Sequence, residues 1–535
     1  MTIATASAGQ TSARAATGTA AAGTAAAGVG AEAVRGAMTG AEYIESLRDG
    51  RDVRIGGERI GDVTTHPAMR NSIRSIAAMY DALHEPGDRQ DVLTRQTDTG
   101  SGTRTHRAFV VPRSREELVA TRDAIAAWSR MSFGWMGRSP DHKASLTTTF
   151  GAAADFYGPF AENARRWYAI AQERVPFICH AIVNPPIDRD KPLEACRDVY
   201  VHVERETDAG LIVSGAKVVA TSAAMTNWTF IGQTGKASRE APDMALAFML
   251  RTGAPGVTLI CRTSYEQTSA ERGVFDAPLS SRFDENDAIL VLDKVLVPWE
   301  DVLIHRDVQR VRAFFTGTGF VNNFLFHGCT RLGVKLDFLC GLLARALACT
   351  GGDEHRGNQV LLGEAIAWRH MIWSLSDAMC HNPDAWGDGT GAFGGAVLPS
   401  RQAALSSCVF APECYVRVRE IIQRTVASGL IYLPSGARDL RDAETDALLS
   451  RFVRGSHGIG HEERIKTMKL LWDAVGSEFA GRHELYERCY AGSWEDVRLQ
   501  VLGEAQRFGR MAKMNELVEE CMRGYGVGGA VERRD

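Results

Sequence analysis

GLIVSGAKVVATSA, residues 210–223, decides the fold. It is rich in β-branched residues, is punctuated by glycine and serine, and lacks the three-and-four apolar spacing of an amphipathic helix. Five neighbours share that character: DVYVHVERE (198–206), NWTFIGQTG (227–235), DMALAFML (243–250), GVTLICR (256–262) and AILVLDKVLVPW (288–299). Each is short, and turn residues separate them. Together they predict an antiparallel β domain over 177–310. Pro185-Pro186 marks its entrance, because neither proline tolerates a continuing helix.

On both sides of this block the helical period returns. SREELVATRDAIAAWSRMSFGWMG (114–137) and FYGPFAENARRWYAIAQERV (156–175) read as amphipathic helices, and Thr39 with Glu42 forms a capping box ahead of a Gly50 stop. An N-terminal helical domain is expected over 38–176. Beyond 310, four long stretches keep the period: 326–352, 356–382, 412–433 and 463–492. Several are apolar on more than one stripe, as in a bundle that also forms a subunit interface, so a C-terminal helical bundle is expected over 311–535. The fold class is α+β, in the order helical, β, helical. Residues 1–37 are nearly all Ala, Gly, Thr and Ser. They carry too little apolar area to offset ordering, so they read as a disordered tail, and they make a poor secretory signal.

Bulk properties exclude several functions. Lys and Arg number 61 against 65 Asp and Glu, a net charge of −4, which predicts no nucleic-acid partner. No apolar window is long enough for a membrane span. Eleven cysteines without a CxxC pair make no disulfide framework and fit a reducing cytoplasm. GYGVGGA (524–530) has the G-x-G-x-x-G spacing, but no strand precedes it and five residues follow it, so it opens no dinucleotide-binding helix. There is no P-loop and no G-x-S-x-G elbow. SHGIGHEER (456–464) is not H-E-x-x-H, and no metal site is expected. A redox enzyme without a nicotinamide motif must receive its electrons from elsewhere, for example as a reduced flavin made by another protein.

Three polar clusters stand in apolar surroundings: Arg138 to His142; His180, Asn184, Asp188 and Arg189 in ICHAIVNPPIDR (178–189); and Thr221, Ser222, Gln233 and Thr234 in the 218–235 stretch. Taken alone, each admits a plain structural role. Arg138 reads as a helix-start arginine, His180 as a satisfied core histidine, and Thr221 and Ser222 as strand-end hydroxyls. Trp135 and Met136 beside Arg138 point the other way, to a partly buried cation that needs an anionic or aromatic partner.

Assembled in order, the motifs resemble a known family. SFGWMGRSPDHKAS (132–145), AADFYGPFAENARRWY (153–168), HAIVNPPIDR (180–189), VERETDAGLIVSGAKVVAT (203–221), PLSSRFDENDAILVLDKVLVPWEDV (278–302), FHGCTRLGVKLDF (326–338) and WDAVGSEFAGRHELYER (472–488) resemble the 4-hydroxyphenylacetate 3-monooxygenase family. These are oxygenase components of two-component, reduced-flavin-dependent phenol hydroxylases. The chain looks nearest the branch that hydroxylates a tyrosine-derived, carrier-protein-bound ring in enediyne antibiotic biosynthesis. The resemblance implies an acyl-CoA dehydrogenase-like fold: N-terminal helical domain, middle β-barrel, C-terminal four-helix bundle, assembled as a homodimer or homotetramer. It implies ortho-hydroxylation of a phenol by O2 through a flavin C4a-hydroperoxide, with FADH2 from a separate NAD(P)H:flavin reductase. The substrate is a phenol, free or tethered to a peptidyl carrier protein. FAD and FMN are not told apart. An acyl-CoA dehydrogenase-like flavoenzyme and a non-catalytic carrier-protein-binding homologue are the alternatives.

The same resemblance implies residue roles. Arg138, His180 and His327 are the expected catalytic residues. Arg138, His142, His180, Gln233 and Thr234 are expected against the substrate. His180, Ala181, Ile182, Pro186, Ile187, Asp188, Arg189 and Thr221, with Gly476, Ser477, Glu478 and Phe479, are expected against the flavin. Many relatives carry Tyr where this chain has His142, which implies an altered substrate choice with the chemistry retained.

Overall fold

The 210–223 stretch is a strand, Gly210–Thr221, and it runs antiparallel to Asp287–Pro298 from Gly210 opposite Pro298 to Thr221 opposite Asp287. The structure is a computed structural model that describes residues 36–188, 190–233, 241–387 and 390–528. Most of the Ala/Gly-rich tail, Arg189 and Thr234 lie outside the described residues. The strand pair anchors a six-stranded sheet in the order Glu58–Ile60, Asp52–Ile55, Val257–Cys261, Asp287–Pro298, Gly210–Thr221, His202–Thr207. A second sheet has the order Val302–His305, Leu246–Arg251, Trp228–Ile231, Ile178–Ala181.

The sheets are mixed rather than wholly antiparallel. Ile178–Ala181 runs parallel to Trp228–Ile231, and Asp52–Ile55 runs parallel to Val257–Cys261. Parallel neighbours need a long crossover, and here roughly fifty and two hundred residues of chain intervene. The Asp52–Ile55 and Glu58–Ile60 hairpin, from the stretch read as helical, turns on Gly56 and Gly57, both at positive φ. One bridge stitches the two sheets into a barrel-like seam: Val218 N–H donates to the Val183 carbonyl at 3.0 Å. Beside the seam Val218 and Val219 face only Ile289, because Lys217 pairs with Leu290 and Ala220 with Ala288. This β-bulge puts Val219 at φ +56, a left-handed conformation that a β-branched residue resists.

Phe320–Thr350 is the central helix. It packs on Arg356–His381, Arg401–Val426 and His461–Val475, and also on Arg115–Met131 and Ala144–Ala152. Being covered on several sides, it is apolar nearly all round rather than along one stripe. Gly351, at φ +69, ends it. Arg401–Val426 begins eleven residues before the start expected at Pro412, which sits inside it. The proline forfeits one backbone bond, and buried Leu405, Cys414 and Val418 packing on both sides of it hold the helix together.

The central helix also carries charge. Buried Arg331 makes a bidentate pair with Glu487 (2.5 and 2.8 Å), and Lys335 reaches the same carboxylate at 3.0 Å. Burial works against the Glu487 carboxylate, but Arg331 and Lys335 outweigh it and hold its pKa down at about 2, below the ordinary 4.5. A depressed carboxylate stabilises the fold above the unfolded value and loses that contribution as pH falls from 4.5 towards 2. Glu487→Gln is therefore expected to cost about 3 kcal/mol at neutral pH, because it leaves two cations buried without a counterion. Urea titrations at neutral and acid pH check this. The gap between variant and parent closes on acidification through that window; a gap that stays constant contradicts it.

Candidate active site

A cleft of 1660 Å³ opens where the seam of the two sheets meets the bundle. The sheets supply His180, Ile182, Val183, Val219 and Thr221; the central helix supplies Phe320, Phe324 and Leu325; the Glu478–Cys489 helix supplies Arg482, Leu485 and Tyr486. Val183 and Val219 are exposed, an apolar wall facing open space. Thr221 Oγ1 donates to Asp287 at 2.7 Å, and Arg262 and Arg482 clamp that carboxylate from other sides. Burial opposes the Asp287 charge, yet the two guanidinium groups hold its pKa well below the carboxylate range.

Arg138 stands at the inner end of the cleft. Its guanidinium lies over three aromatic rings: Phe324 at 5.4 Å, Tyr486 at 5.1 Å and Tyr490 at 4.8 Å. Its backbone N–H donates to Glu285, and its Nη1 donates to His142 Nε2 at 2.7 Å. Burial works against its charge, but Tyr486, Tyr490 and Glu285 more than offset that and raise its pKa. Trp135 and Met136 are fully buried beside it, so the cation is partly sheltered, as its neighbours in the sequence implied.

The one-turn Pro140–Lys143 helix that follows is entirely buried and polar. Asp141 pairs with His327 at 3.2 Å, and Ser139 donates to the same carboxylate. Burial would raise Asp141; His327, His106 and Ser139 hold it below the ordinary range. His142 is wholly buried. Burial first, then the basic groups beside it, keep its pKa well below the imidazole range, so it is neutral.

Comparison with known proteins fits this geometry. The model of the 4-hydroxyphenylacetate 3-hydroxylase N-terminal region matches residues 39–304, and that of its C-terminal region matches 311–519. The chain belongs to the 4-hydroxyphenylacetate 3-hydroxylase family. It is 52% identical over 494 residues to a 4-hydroxyphenylacetate 3-monooxygenase oxygenase component of Pseudomonas aeruginosa, covering 92% of this chain and 94% of the relative. It is 50% identical over 493 residues to a (3S)-3-amino-3-(3-chloro-4-hydroxyphenyl)propanoyl-[peptidyl-carrier protein] monooxygenase of Streptomyces globisporus, with 92% of each chain covered. A crystal structure of the oxygenase component of 4-hydroxyphenylacetate 3-monooxygenase, complexed with FAD, superposes with a TM-score of 0.84 at 30% identity, over 91% of this chain and 99% of that one.

Within the 4-hydroxyphenylacetate 3-hydroxylase fold of this chain, the residues expected at the site fall into two groups. Arg138, His180, Ile182 and Thr221 share the cleft wall. His180 Nδ1 and Arg138 Nε are buried without a hydrogen-bond partner. The other described residues do not line the cleft. His142 is buried behind Arg138, so it touches the site through that residue. His327 packs edge-on against His142, 5.0 Å between ring centres, and faces a separate small cavity with Asp141. Gln233 is buried with both ends of its amide spent, accepting from Lys217 at 2.8 Å and donating to the Val201 carbonyl at 3.0 Å. Ala181 is buried in its strand; Pro186, Ile187 and Asp188 form the surface loop beyond it. Gly476–Phe479 is the turn into the Glu478–Cys489 helix, where Ser477 caps and Phe479 packs on Trp135.

Sequence reading missed Tyr486, Tyr490, Phe324, Arg482, Asp287 and Lys143. A signal existed for three of them. Arg482, Tyr486 and Tyr490 recur every four residues and so share one helix face. Val219 gives this geometry a test. Val219→Gly relieves a β-branched residue at positive φ and is expected to stabilise the ligand-free chain by about 1 kcal/mol. Chemical denaturation checks it; a less stable variant would mean that the bulge carries no strain.

Proposed function

We propose that this chain is the oxygenase component of a two-component phenol monooxygenase, which hydroxylates a tyrosine-derived phenol ortho to its oxygen using O2 and reduced FAD delivered by a separate reductase. The observation that carries the reading is Arg138: a permanent cation, boxed by three rings, on the wall of a large cleft that His180 also lines. A phenol oxygen placed there meets a charge-assisted donor, and its ionised form is favoured. Phenolate character enriches the ortho carbon in electrons, which is what transfer of an electrophilic oxygen requires.

The residues present fit a flavin. The exposed wall of Val183 and Val219 offers a flat apolar face to a planar ring system, and Ile182 and Thr221 line the same side of the cleft. The cleft has room for a dinucleotide and a phenol together. When bound, reduced FAD supplies the electrons that activate O2 for transfer of one oxygen atom to the ring. The chain's part is to hold the phenol against that face, to keep its oxygen ionised through Arg138, and to keep water out with Phe320, Phe324 and Leu325. The reading covers a phenol presented free, like the 4-hydroxyphenylacetate in the name of one relative, or on a carrier protein, as named for another. The acyl-CoA dehydrogenase alternative needs a free carboxylate base. Asp287, the buried carboxylate on the cleft wall, is fully engaged by Arg262, Arg482 and Thr221.

A second copy of the chain fits the C-terminal arm. Trp494–Arg507 and Arg510–Met522 leave Trp494, Leu499, Phe508, Met514 and Leu517 exposed on adjoining helices, more apolar surface than a lone chain ordinarily shows water. Light scattering is expected to report a dimer or tetramer; a monomer at working concentration contradicts this.

The reaction is tested by mixing the chain with reduced FAD, isotopically labelled O2 and a phenol such as 4-hydroxyphenylacetate or a β-tyrosine derivative. A catechol carrying one labelled atom is expected. Arg138→Lys keeps the charge but loses the planar donor set, and should lower kcat/KM roughly a hundredfold while FAD affinity changes little. Peroxide with no catechol from the parent chain, for any phenol, refutes the reading.

A further inference from the structure

Lys143 is 2% exposed, and its Nζ contacts His142 Nδ1 at 2.8 Å. The groups facing it are His142, Arg138, His180, Cys179 and Glu285. The hydrogen-bond logic of this turn leaves one assignment. Arginine only donates, so His142 Nε2 must accept from Arg138. A neutral imidazole then carries its proton on Nδ1. A charged ammonium cannot accept that N–H, so Lys143 is held as a free amine. Burial first, and then Arg138, drive its pKa well below the ordinary lysine range, in agreement with the geometry.

We propose that Lys143 is the terminal proton acceptor of a buried relay, through His142, that ionises the phenol; this rests on the reading of the cleft as a phenol site. In the ligand-free chain Arg138 covers the buried His142; when Arg138 Nη1 leaves Nε2 for the incoming phenol oxygen, that nitrogen is uncovered to the phenol O–H. The phenol O–H bond breaks and an Nε2–H bond forms; the Nδ1–H bond breaks and an Nζ–H bond forms. The products are a phenolate on Arg138 and an ammonium at Lys143, with no net proton gained or lost. Histidine suits the task because its two nitrogens, on opposite edges of one ring, span the gap from Arg138 to Lys143. The new Nε2–H also has a waiting acceptor. Tyr490 OH, 3.3 Å away, donates its own proton to the Phe324 carbonyl at 3.1 Å, and its oxygen, which accepts from Arg138, keeps a second lone pair for this N–H. Glu285, which accepts from the Arg138 backbone N–H, also favours charge on Lys143 electrostatically.

The relay is read without turnover. 4-Nitrophenol, coloured as its anion, is titrated into the full chain without flavin at a pH below the probe's own pKa. Proton release is measured by calorimetry in two buffers of different ionisation heat. The parent is expected to show the anion band with no net proton release. Lys143→Met, and Lys143→Arg, which keeps the bulk but is permanently charged and has no lone pair to offer, should lower the band about tenfold, one pKa unit, or release a proton on binding. Unchanged FAD affinity shows that a variant is folded. A folded variant that keeps both the band and zero release overturns the relay. If the parent hydroxylates phenols yet shows no anion band, the relay falls and the monooxygenase reading stands; if the parent hydroxylates nothing, that reading falls first.

Discussion

The site depends on keeping one permanent cation half out of water. Desolvating the Arg138 guanidinium is costly, and no carboxylate sits against it to form a salt bridge among the described residues. Three ring faces, the tyrosine oxygens and the nearby Glu285 offset that cost instead. The rings come from separate places: Phe324 from the central helix, Tyr486 and Tyr490 from the helix that follows the turn at 476–479. Arg138 itself comes from the turn after Arg115–Met131. The box therefore exists only when the bundle and the N-terminal helices have docked. The Arg331–Lys335–Glu487 cluster locks the same two helices together one residue along from Tyr486, so the register of the bundle and the geometry of the box are set by adjacent side chains.

A free cation faces the cleft because its other needs are met behind it. Asp141 is spent on His327, His142 on Arg138, and Lys143 on His142, all within a single short turn. At the other end of the cleft the wall is apolar and strained, with Val219 forced into the left-handed region by a bulge opposite Ile289. On the proposed reading, Arg138 ionises a phenol and the Val183–Val219 wall receives a flat ring. That division of labour is the physical content of the family assignment in this chain.

Much of the fold was legible in the sequence because periodicity is a local property. The strand character of 210–221 and the presence of the central helix, expected over 326–352 and found over Phe320–Thr350, follow from residue spacing alone. The parallel partners were not legible: Asp52–Ile55 lies about two hundred residues from Val257–Cys261, and its alternation around Gly56-Gly57 names no partner. At the site, Arg138 and His180 stood out because charge beside Trp135, and a histidine before two prolines, are anomalies in their windows. Gln233 stood out equally, and the resemblance added His327, yet Gln233 turns inward to Lys217 and His327 faces Asp141, and no single window shows which way a side chain points. Lys143 was passed over for the same reason. Adjacent to a conspicuous histidine it reads as a surface lysine, until the fold seals it in.

The most direct measurement is a crystal structure of the chain with FAD and a phenol bound. The account predicts the phenol oxygen within hydrogen-bond distance of the Arg138 guanidinium and the His180 ring, with the flavin ring against Val183 and Val219. A phenol lodged away from Arg138, or a flavin phosphate occupying the aromatic box, would contradict it.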